Sequence, residues 1–486
     1  MKNTFSPPNS RQIAMPKPDK WRYYLYLSVI WLVSPLVQDA VYAAGAISGD
    51  TVFIENNTAF PNASGLSATF STQTAIDLDN EFFQPLGSNG RSCSTCHLPE
   101  EGWSITPKGV QQRFNGSGGG EAIFRTNDGA NSQHAKVSTL KARRVAYSLL
   151  LNKGVIRMGI KVPENAEFEL IDISDPYGFA TVNDLNPSFE FSLFRRPLPA
   201  TNLKFLSAVM WDGRETVSGR SIHYDLTRQA NNATTGHAQG QPLSSAQRRH
   251  IVEFETALFT AQVYDNDAQV LNVSGVKGGP VALSKQGFYK GINDFFGDGK
   301  TGQPHNSRVF KLYDAWNDLM VTAPTDIRAA VARGQQLFNS KPIVISGVPG
   351  LNDAPGFGNI DVINGTCSTC HNTPNAGSHS ASRFLNIGVS DAAQRTSDMP
   401  LHTLRNKATG ELLKSTDPGR ALITGKWQDI GRFKVPVLRG LAARAPYFHN
   451  GMAKELGNVL DFYDRRFQIG FDNRERLDLI LFLRSL

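Results

Sequence analysis

The sequence Cys-Ser-Thr-Cys-His occurs twice, at Cys93–His97 and at Cys367–His371, and the two copies contain all four cysteines of the chain. Thiols spaced C-x-x-C could form disulfides, a redox dithiol or part of a structural zinc site. The histidine after each pair adds another possibility, because C-x-x-C-H is the signature of c-type haem attachment. In that chemistry both thiols bond to the haem, and the histidine becomes the proximal ligand of the iron.

Haem attachment fits the spacing best. A redox dithiol is expected near a βαβ pattern, which we do not find around either copy. The separation of the two copies is far outside the spacing of zinc ribbons. Disulfides suit an exported chain, but haem attachment uses every cysteine and leaves none over. The sequence therefore predicts two covalently bound haem c groups. The predicted attachment residues are Cys93, Cys96, Cys367 and Cys370, and the predicted iron ligands are His97 and His371.

The N-terminal residues 1–43 are predicted to be a secretory signal peptide. A basic lead precedes an apolar run at 23–37, and small residues follow at 41–43. An uncleaved membrane anchor is the alternative, but the run is shorter than the ~20 residues that span a bilayer. We expect the mature protein in the periplasm, with no membrane span. Cleavage leaves 45 basic and 41 acidic side chains, an excess too small to indicate nucleic-acid binding.

Helical patterns surround the second copy. The segment 326–338 places Ile327, Val331, Gly334 and Phe338 on one helical face. At the C-terminus, Asp472 can cap a helix whose predicted buried side is Leu477, Ile480, Leu481 and Leu483. Each copy is therefore expected in its own cytochrome c-like domain, and the predicted fold class is mostly α. The predicted domains are 44–322, which contains long loop insertions, and 323–486.

The predicted N-terminal domain is larger than one cytochrome needs. Its stretches at 114–120 and 231–241 are rich in Gly, Asn, Ser and Thr, which predicts loops. The segment 248–262 has Ile251, Phe254 and Leu258 at helical spacing. It is predicted to be one helix.

Longer motifs resemble the bacterial dihaem cytochrome c peroxidase superfamily, which includes the MauG-type enzymes. The resemblance is carried by both CSTCH copies, MWDGRE at 210–215, FETAL at 254–258 and FKVPVLRGLAARAPYFHNG at 433–451. They occur in the family's order from residue 93 to the C-terminus. The resemblance implies a peroxide-dependent haem oxidoreductase with a peroxidatic N-terminal haem.

Tyr463 is the residue that the resemblance assigns to the second haem. Electron-accepting peroxidases have a Met ligand at this position, whereas MauG-type enzymes have a Tyr. Leu456, Val459, Leu460, Tyr463 and Phe467 share one helical face, so a buried core tyrosine is the alternative. Met452 is a rival ligand, but it lies off the matching position. A phenolate ligand suits ferric and high-valent haem, as in catalase.

The distal side of the first haem departs from the family pattern. Arg113 occupies the position of the His that caps the resting iron in many of these peroxidases, which implies an iron open to peroxide. Gln239 occupies the position of the family's catalytic Glu and could only hydrogen-bond peroxide. His237 could move the proton that O–O cleavage requires, since histidine titrates near neutrality. A loop histidine bonded to backbone is the alternative.

Two further residue roles are implied by the resemblance. Trp211 matches the Trp that lies between the two haems, where an indole would relay electrons; an ordinary core Trp is the alternative. The family also binds a calcium ion through backbone carbonyls, here those of Arg444 and Pro446. Its Asn side-chain ligand corresponds to Arg196, which cannot ligate, so the ion's ligand shell must differ.

The expected function is therefore reduction of hydrogen peroxide at the first haem, with oxidising equivalents stored or passed through Trp211 to a haem ligated by His371 and Tyr463. The electron source would be a small periplasmic cytochrome or, as in MauG, an oxidisable Trp or Tyr of a partner protein. Conventional peroxide detoxification is one alternative. A non-catalytic dihaem electron-transfer protein is the other.

Overall fold

The computed structural model describes residues 52–178, 189–273 and 275–486. The predicted signal peptide, 1–43, lies outside the described residues. The α-helices are α1 (Pro107–Ser117), α2 (Leu140–Ala146), α3 (Ser148–Lys153), α4 (Ile222–Gly236), α5 (Ser245–Ala257), α6 (Gly279–Ser284), α7 (Leu319–Thr322), α8 (Ile327–Ser340), α9 (Ala421–Thr424), α10 (Leu456–Phe467) and α11 (Asn473–Arg484). The strands are β1 (Phe53–Ile54), β2 (Ala59–Asn62), β3 (Gly65–Ser71), β4 (Ile76–Asp77), β5 (Ile156–Lys161), β6 (Phe168–Ser174), β7 (Glu190–Arg195), β8 (Leu258–Asp265), β9 (Gln269–Val270), β10 (Ile343–Ser346), β11 (Val362–Gly365), β12 (Phe384–Leu385), β13 (Leu401–Asn406), β14 (Leu412–Ser415) and β15 (Phe433–Lys434).

The predicted mostly-α fold class is wrong. Of the described residues, 31% are helical and 18% are in strands. The strands form several small antiparallel sheets. The largest has the order β2-β3-β8-β9, and a second has the order β14-β13-β6. In the second sheet Leu404 pairs with Leu170, so segments on either side of the predicted domain boundary share one sheet. The described residues belong to one compact unit, and the division into 44–322 and 323–486 stays a prediction.

The predicted helix at 248–262 is helical as far as Ala257 and a strand from Leu258. A capping box between Ser244 and Gln247 starts α5, which ends at Ala257. From Leu258 the chain extends as β8 and pairs with β3 along its whole length. The β8 sequence LFTAQVYD is rich in residues that suit a half-buried sheet. Ile251, Phe254 and Leu258 are nevertheless all buried, so the burial was predicted correctly although the secondary structure was not.

Both predicted loops in the N-terminal region are partly helical. Residues 114–117 complete α1, and Gly118 ends that helix in the left-handed conformation. Residues 231–236 are the last turns of α4. Its side chains at Leu226, Ala230 and Thr234 are buried, because packing of this face outweighs the weak helix propensity of Asn, Thr and Gly. As a result, His237 is the C-terminal cap residue of α4.

The C-terminal helices form as predicted. Helix α8 packs on α11, and Val331, Gly334 and Phe338 are buried in the contact. Gly334 is required there, because a Cβ atom would lie 2.0 Å from the carbonyl oxygen of Asp478. Asp472 caps α11 with a capping box. The predicted buried side is wrong at Leu477, which is 55% exposed, because the buried apolar residues of α11 are Leu479, Leu481, Phe482 and Leu483.

Among the described residues, we find no helix that combines the length and the apolar character needed to cross a membrane.

Candidate functional site

Each CSTCH copy lies in the wall of its own cleft. The first cleft is lined by Cys93, Cys96 and His97, and the second by Cys367, Cys370 and His371. In both copies Cys-Ser-Thr forms one 3-10 turn. The threonine hydroxyl of the turn accepts a hydrogen bond from the backbone N–H of the residue before the first cysteine. The repeated sequence therefore produces the same local structure twice, with two thiols and an imidazole at the edge of a cleft.

Both histidines are prepared to bind a metal. The Nδ1 atom of His97 is 3.1 Å from the carbonyl oxygen of Trp103, and Nδ1 of His371 is 2.6 Å from that of Gly377. A carbonyl only accepts hydrogen bonds, so each Nδ1 carries the proton and each Nε2 keeps its lone pair. Burial lowers the pKa of His97 and of His371 to about 4, so both rings are neutral at neutral pH. Two thiols and a neutral imidazole at each cleft fit covalent attachment of haem c.

An aromatic cluster supports His97. Phe82, Trp103 and Phe254 pack with ring centroids 5.2–5.9 Å apart, and Phe82 lies 6.3 Å from the His97 ring. Trp103 is fully buried and adopts φ 62°, which few non-glycine residues do. Its indole Nε1 donates to Thr69 Oγ1 at 2.9 Å. These contacts fix the Trp103 carbonyl that orients His97.

Trp211 lies in the wall between the two clefts. It lines both of them, as do Lys434 and Pro436. The indole Nε1 donates to the carbonyl oxygen of Arg196 at 2.8 Å. The Trp211 carbonyl accepts from the backbone N–H of Lys434 at 2.9 Å. The side chain and the carbonyl group of Trp211 are therefore each held by a hydrogen bond to a backbone group.

Tyr463 lines the second cleft together with the rest of the predicted helical face. Leu456, Val459, Leu460 and Phe467 of α10 are also in this wall. The Tyr463 and Phe467 rings stack at 6.2 Å with an interplanar angle of 16°, and burial raises the pKa of the Tyr463 phenol. Met452 is not among the described residues that line this cleft. The structure thus brings Tyr463, and not its rival, to the cleft that contains His371.

His237 lines the first cleft, but Gln239 does not. The Nδ1 atom of His237 is 2.6 Å from Oδ2 of Asp128, so the ring is bound to a carboxylate rather than to backbone. Gln239 is exposed, and its side-chain oxygen accepts from Asn89 at 3.4 Å. Arg113 is also outside the cleft wall, where it donates to the Thr95 carbonyl at 2.8 Å.

Comparisons with known proteins agree with these observations. The chain is 32% identical over 140 residues to cytochrome-c peroxidase IdrP1 of Pseudomonas sp. (strain SCT), which covers 25% of this chain and 36% of that protein. It is 31% identical over 135 residues to cytochrome-c peroxidase IdrP2 of Denitromonas iodatirespirans, with the same coverage. The predicted resemblance to the dihaem cytochrome c peroxidase superfamily is confirmed. The matched part is only about a third of the length of these curated peroxidases.

Two other comparisons are less informative than the peroxidase sequences. No protein-family model matches the chain. The structure of a MauG-like protein associated with microbial copper homeostasis is 14% identical, with a TM-score of 0.35 over 84% of this chain and 87% of that chain.

The calcium site expected from the peroxidase resemblance does not fit this structure. The buried guanidinium of Arg196 donates to the carbonyl oxygen of Arg444 at 3.1 Å and to that of Ile105 at 2.7 Å. It also donates to the carbonyls of Lys153 and Gly154. A positive charge therefore already lies on a carbonyl that was expected to bind calcium together with Pro446, and a cation there would be repelled.

The peroxidase resemblance assigned no role to three ionisable residues of the first cleft, which are Arg91, Asp128 and Glu255. Asp128 and Arg91 form a buried ion pair. Among the described residues, Glu255 Oε2 has no hydrogen-bond partner, and burial raises the pKa of Glu255 to about 8. Only Glu255 lies in a quoted motif, FETAL. The other two are brought to the cleft by the fold.

Proposed function

We propose that the protein is a periplasmic dihaem c-type enzyme that reduces hydrogen peroxide at the first cleft. Oxidising equivalents pass through Trp211 to the second cleft. The main support is that Trp211 lines both clefts, each of which holds a CSTCH motif with a neutral histidine. The similarity to cytochrome-c peroxidases supports the reaction class.

Haem c would be held by Cys93 and Cys96 in the first cleft and by Cys367 and Cys370 in the second. When bound, it supplies the iron that accepts peroxide and holds oxidising equivalents. His97 and His371 are the proposed proximal ligands, because each presents Nε2 while its Nδ1 is fixed.

His237 is the proposed proton carrier of the first cleft. Heterolytic cleavage of peroxide requires a proton to move from one oxygen to the other. The ring can do this at Nε2, since Nδ1 is engaged by Asp128. We assign no role to Gln239, whose side chain is outside the cleft wall.

Trp211 and Tyr463 are the proposed residues of the second stage. The indole is the aromatic side chain common to both cleft walls, so we assign it electron transfer between them. Tyr463 is proposed as a ligand of the iron in the second cleft, in addition to His371. Unlike a methionine thioether, a phenolate ligand favours the ferric state. Electrons would come from a small periplasmic cytochrome or from an oxidisable Trp or Tyr of a partner protein.

Stopped-flow absorbance of the fully ferric protein, mixed with one equivalent of peroxide and no reductant, tests this proposal. A rapid Soret change to a long-lived oxidised species is expected. Reaction only after pre-reduction of one haem would indicate a conventional cytochrome-fed peroxidase. No reaction in either state would leave an electron-transfer protein.

Trp211→Phe separates the two stages. The variant should still react with peroxide, but the spectral change of the second haem should be slowed or lost. Trp316→Phe is the control, because Trp316 is a buried tryptophan that lines neither cleft of the described structure. Equal behaviour of the two variants would argue against the role of Trp211.

A further inference from the structure

The His237 ring is held by a carboxylate that has its own support. Asp128 Oδ2 lies 2.6 Å from His237 Nδ1, and the Asp128 side chain is 7% exposed. The other carboxylate oxygen forms an ion pair with Arg91 Nη1. Asp128 is 109 positions from His237 along the chain, so this contact is a product of the fold.

Arg91 fixes the carboxylate from the other side. Its guanidinium donates to the carbonyls of Ala122 and Ile123, each at 2.8 Å, and to the carbonyl of His237 at 3.2 Å. Arg91 is 4% exposed on its side chain. One buried cation therefore holds both Asp128 and the backbone of His237, which defines the position of the ring relative to the cleft.

The pair also faces a charged cleft. Burial opposes ionisation of Asp128, but the hydrogen bond with His237 and the positive charge of Arg91 help to outweigh it and lower the pKa of Asp128, so it is a carboxylate at neutral pH. The other charged or titratable side chains that line the first cleft are Cys93, Cys96, His97, Arg195, Arg196, Arg214, Glu255 and Lys434. Arg157 interacts electrostatically with Asp128.

We propose that Asp128 is the positioning residue of His237: it keeps the proton on Nδ1, so that Nε2 presents its lone pair to the first cleft. This inference rests on the proposed function. Nε2 takes a proton from one peroxide oxygen and returns it to the other, with no net proton consumed by the residue. While the His237 ring holds this proton it is positively charged, and the Asp128 carboxylate stabilises it, as the acid of a catalytic triad does.

The same contact would occur if His237 bound the iron itself, because metal-bound histidines commonly donate their other N–H to a carboxylate. The two roles differ in the ferric spectrum. A His237-ligated haem is low-spin, and His237→Gln would convert it to high-spin. That result would overturn the acid–base assignment.

Cyanide binding to the ferric holoprotein tests the proposal without catalysis. Hydrogen cyanide must lose its proton to bind iron as an anion, so a base in the cleft accelerates association. We expect His237→Gln to slow association by ~100-fold or more and to change its pH dependence. Asp128→Asn should slow association by about 10–100-fold, since the amide can favour the wrong tautomer. The peroxide reaction should slow in parallel.

Asp478→Asn is the matched control. Asp478 is also buried and paired with an arginine, Arg333, but it lies outside both cleft walls, so its association rate should equal that of the wild type. If Asp128→Asn does not fold, Asp128→Glu keeps the charge near Arg91 and moves the carboxylate away from Nδ1.

The outcomes distinguish failure of the Asp128 positioning role from failure of the His237 acid–base role. Slow association in His237→Gln with a wild-type rate in the Asp128 variant would overturn the positioning role alone. Wild-type rates in both would remove His237 as the proton carrier, and with it the acid–base part of the proposed function.

Discussion

Arg196 should replace a bound cation in this protein, which makes stability independent of calcium. The guanidinium is buried and donates to four backbone carbonyls, those of Ile105, Lys153, Gly154 and Arg444. These carbonyls belong to three segments, at Ile105, at Lys153 and Gly154, and at Arg444, so the guanidinium joins the segments as an ion would. Arg196→Ala would leave all four carbonyls without this donor.

The magnitude follows from two opposing contributions. Each buried carbonyl left unsatisfied costs ~1–3 kcal/mol, which gives roughly 4–12 kcal/mol for the four. Burial lowers the pKa of Arg196 from 12.5 to about 10, so the charged form is disfavoured by about 3 kcal/mol, and removal of the charge recovers that amount. We therefore expect Arg196→Ala to lower the free energy of unfolding by roughly 1–9 kcal/mol, a range that includes the ~3–5 kcal/mol for breaking a buried ion pair.

Urea unfolding of the holoprotein, followed by far-UV circular dichroism, measures this loss. The wild type should give the same midpoint with EGTA and with added calcium. Arg249→Ala is the control, because this side chain is 55% exposed and should leave the midpoint unchanged. Arg196→Asn restores the kind of ligand expected from the family, so calcium should raise the midpoint of this variant. A wild-type midpoint that falls in EGTA would refute the reasoning.

Three further variants test other parts of the structure. Tyr463→Met should raise the potential of the second haem in spectroelectrochemical titration, because thioether ligation favours the ferrous state; an unchanged potential would count against ligation. In Gly334→Ala the added methyl would lie 2.0 Å from the Asp478 carbonyl, so we expect a large fall in thermal stability, whereas Gly116→Ala, which meets nothing within 4 Å, should be tolerated. Burial opposes ionisation of Asp212, but the charges and hydrogen bonds of Arg195 and Arg214 together outweigh it and lower the pKa of Asp212 to about 2. Stability from the Asp212 carboxylate and these two arginines is therefore present above pH ~4 and lost as pH falls towards 2, by about 2 kcal/mol. Asp212→Asn should be less stable at neutral pH and lose less on acidification; an equal loss would exclude Asp212 as the cause.

The parts of the site that were predictable are those encoded by local sequence. Both CSTCH turns, the Asp472 cap and the lining face of α10 depend on residues a few positions apart. Spacing alone therefore indicated that Tyr463 shares a face with Leu460 and Phe467. The same local signals gave the burial of Ile251 and Phe254.

The parts that were missed depend on contacts between distant segments. Residues 231–236 have poor helix propensity and become helical because Ala230 and Thr234 pack inside the protein. The strand β8 is extended because β3, far away in the chain, pairs with it. Asp128 is 37 positions from Arg91 and has no motif around it, so only the fold reveals its contact with His237.

Two adjacent arginines show how the wall between the clefts is built. Arg195 forms a buried ion pair with Asp212 at 2.5 Å, directly after Trp211 in the chain. Arg196 accepts the Trp211 indole N–H on its carbonyl, and its own N–H donates to the His449 carbonyl at 2.6 Å. The Arg195 side chain contacts the carboxylates of Asp212 and Asp417, whereas the Arg196 side chain contacts backbone carbonyls. The position of Trp211 therefore depends on the Arg195–Arg196 pair. An Arg196 variant that folds but loses this geometry should transfer electrons between the clefts more slowly, even though the haem-attachment residues are untouched.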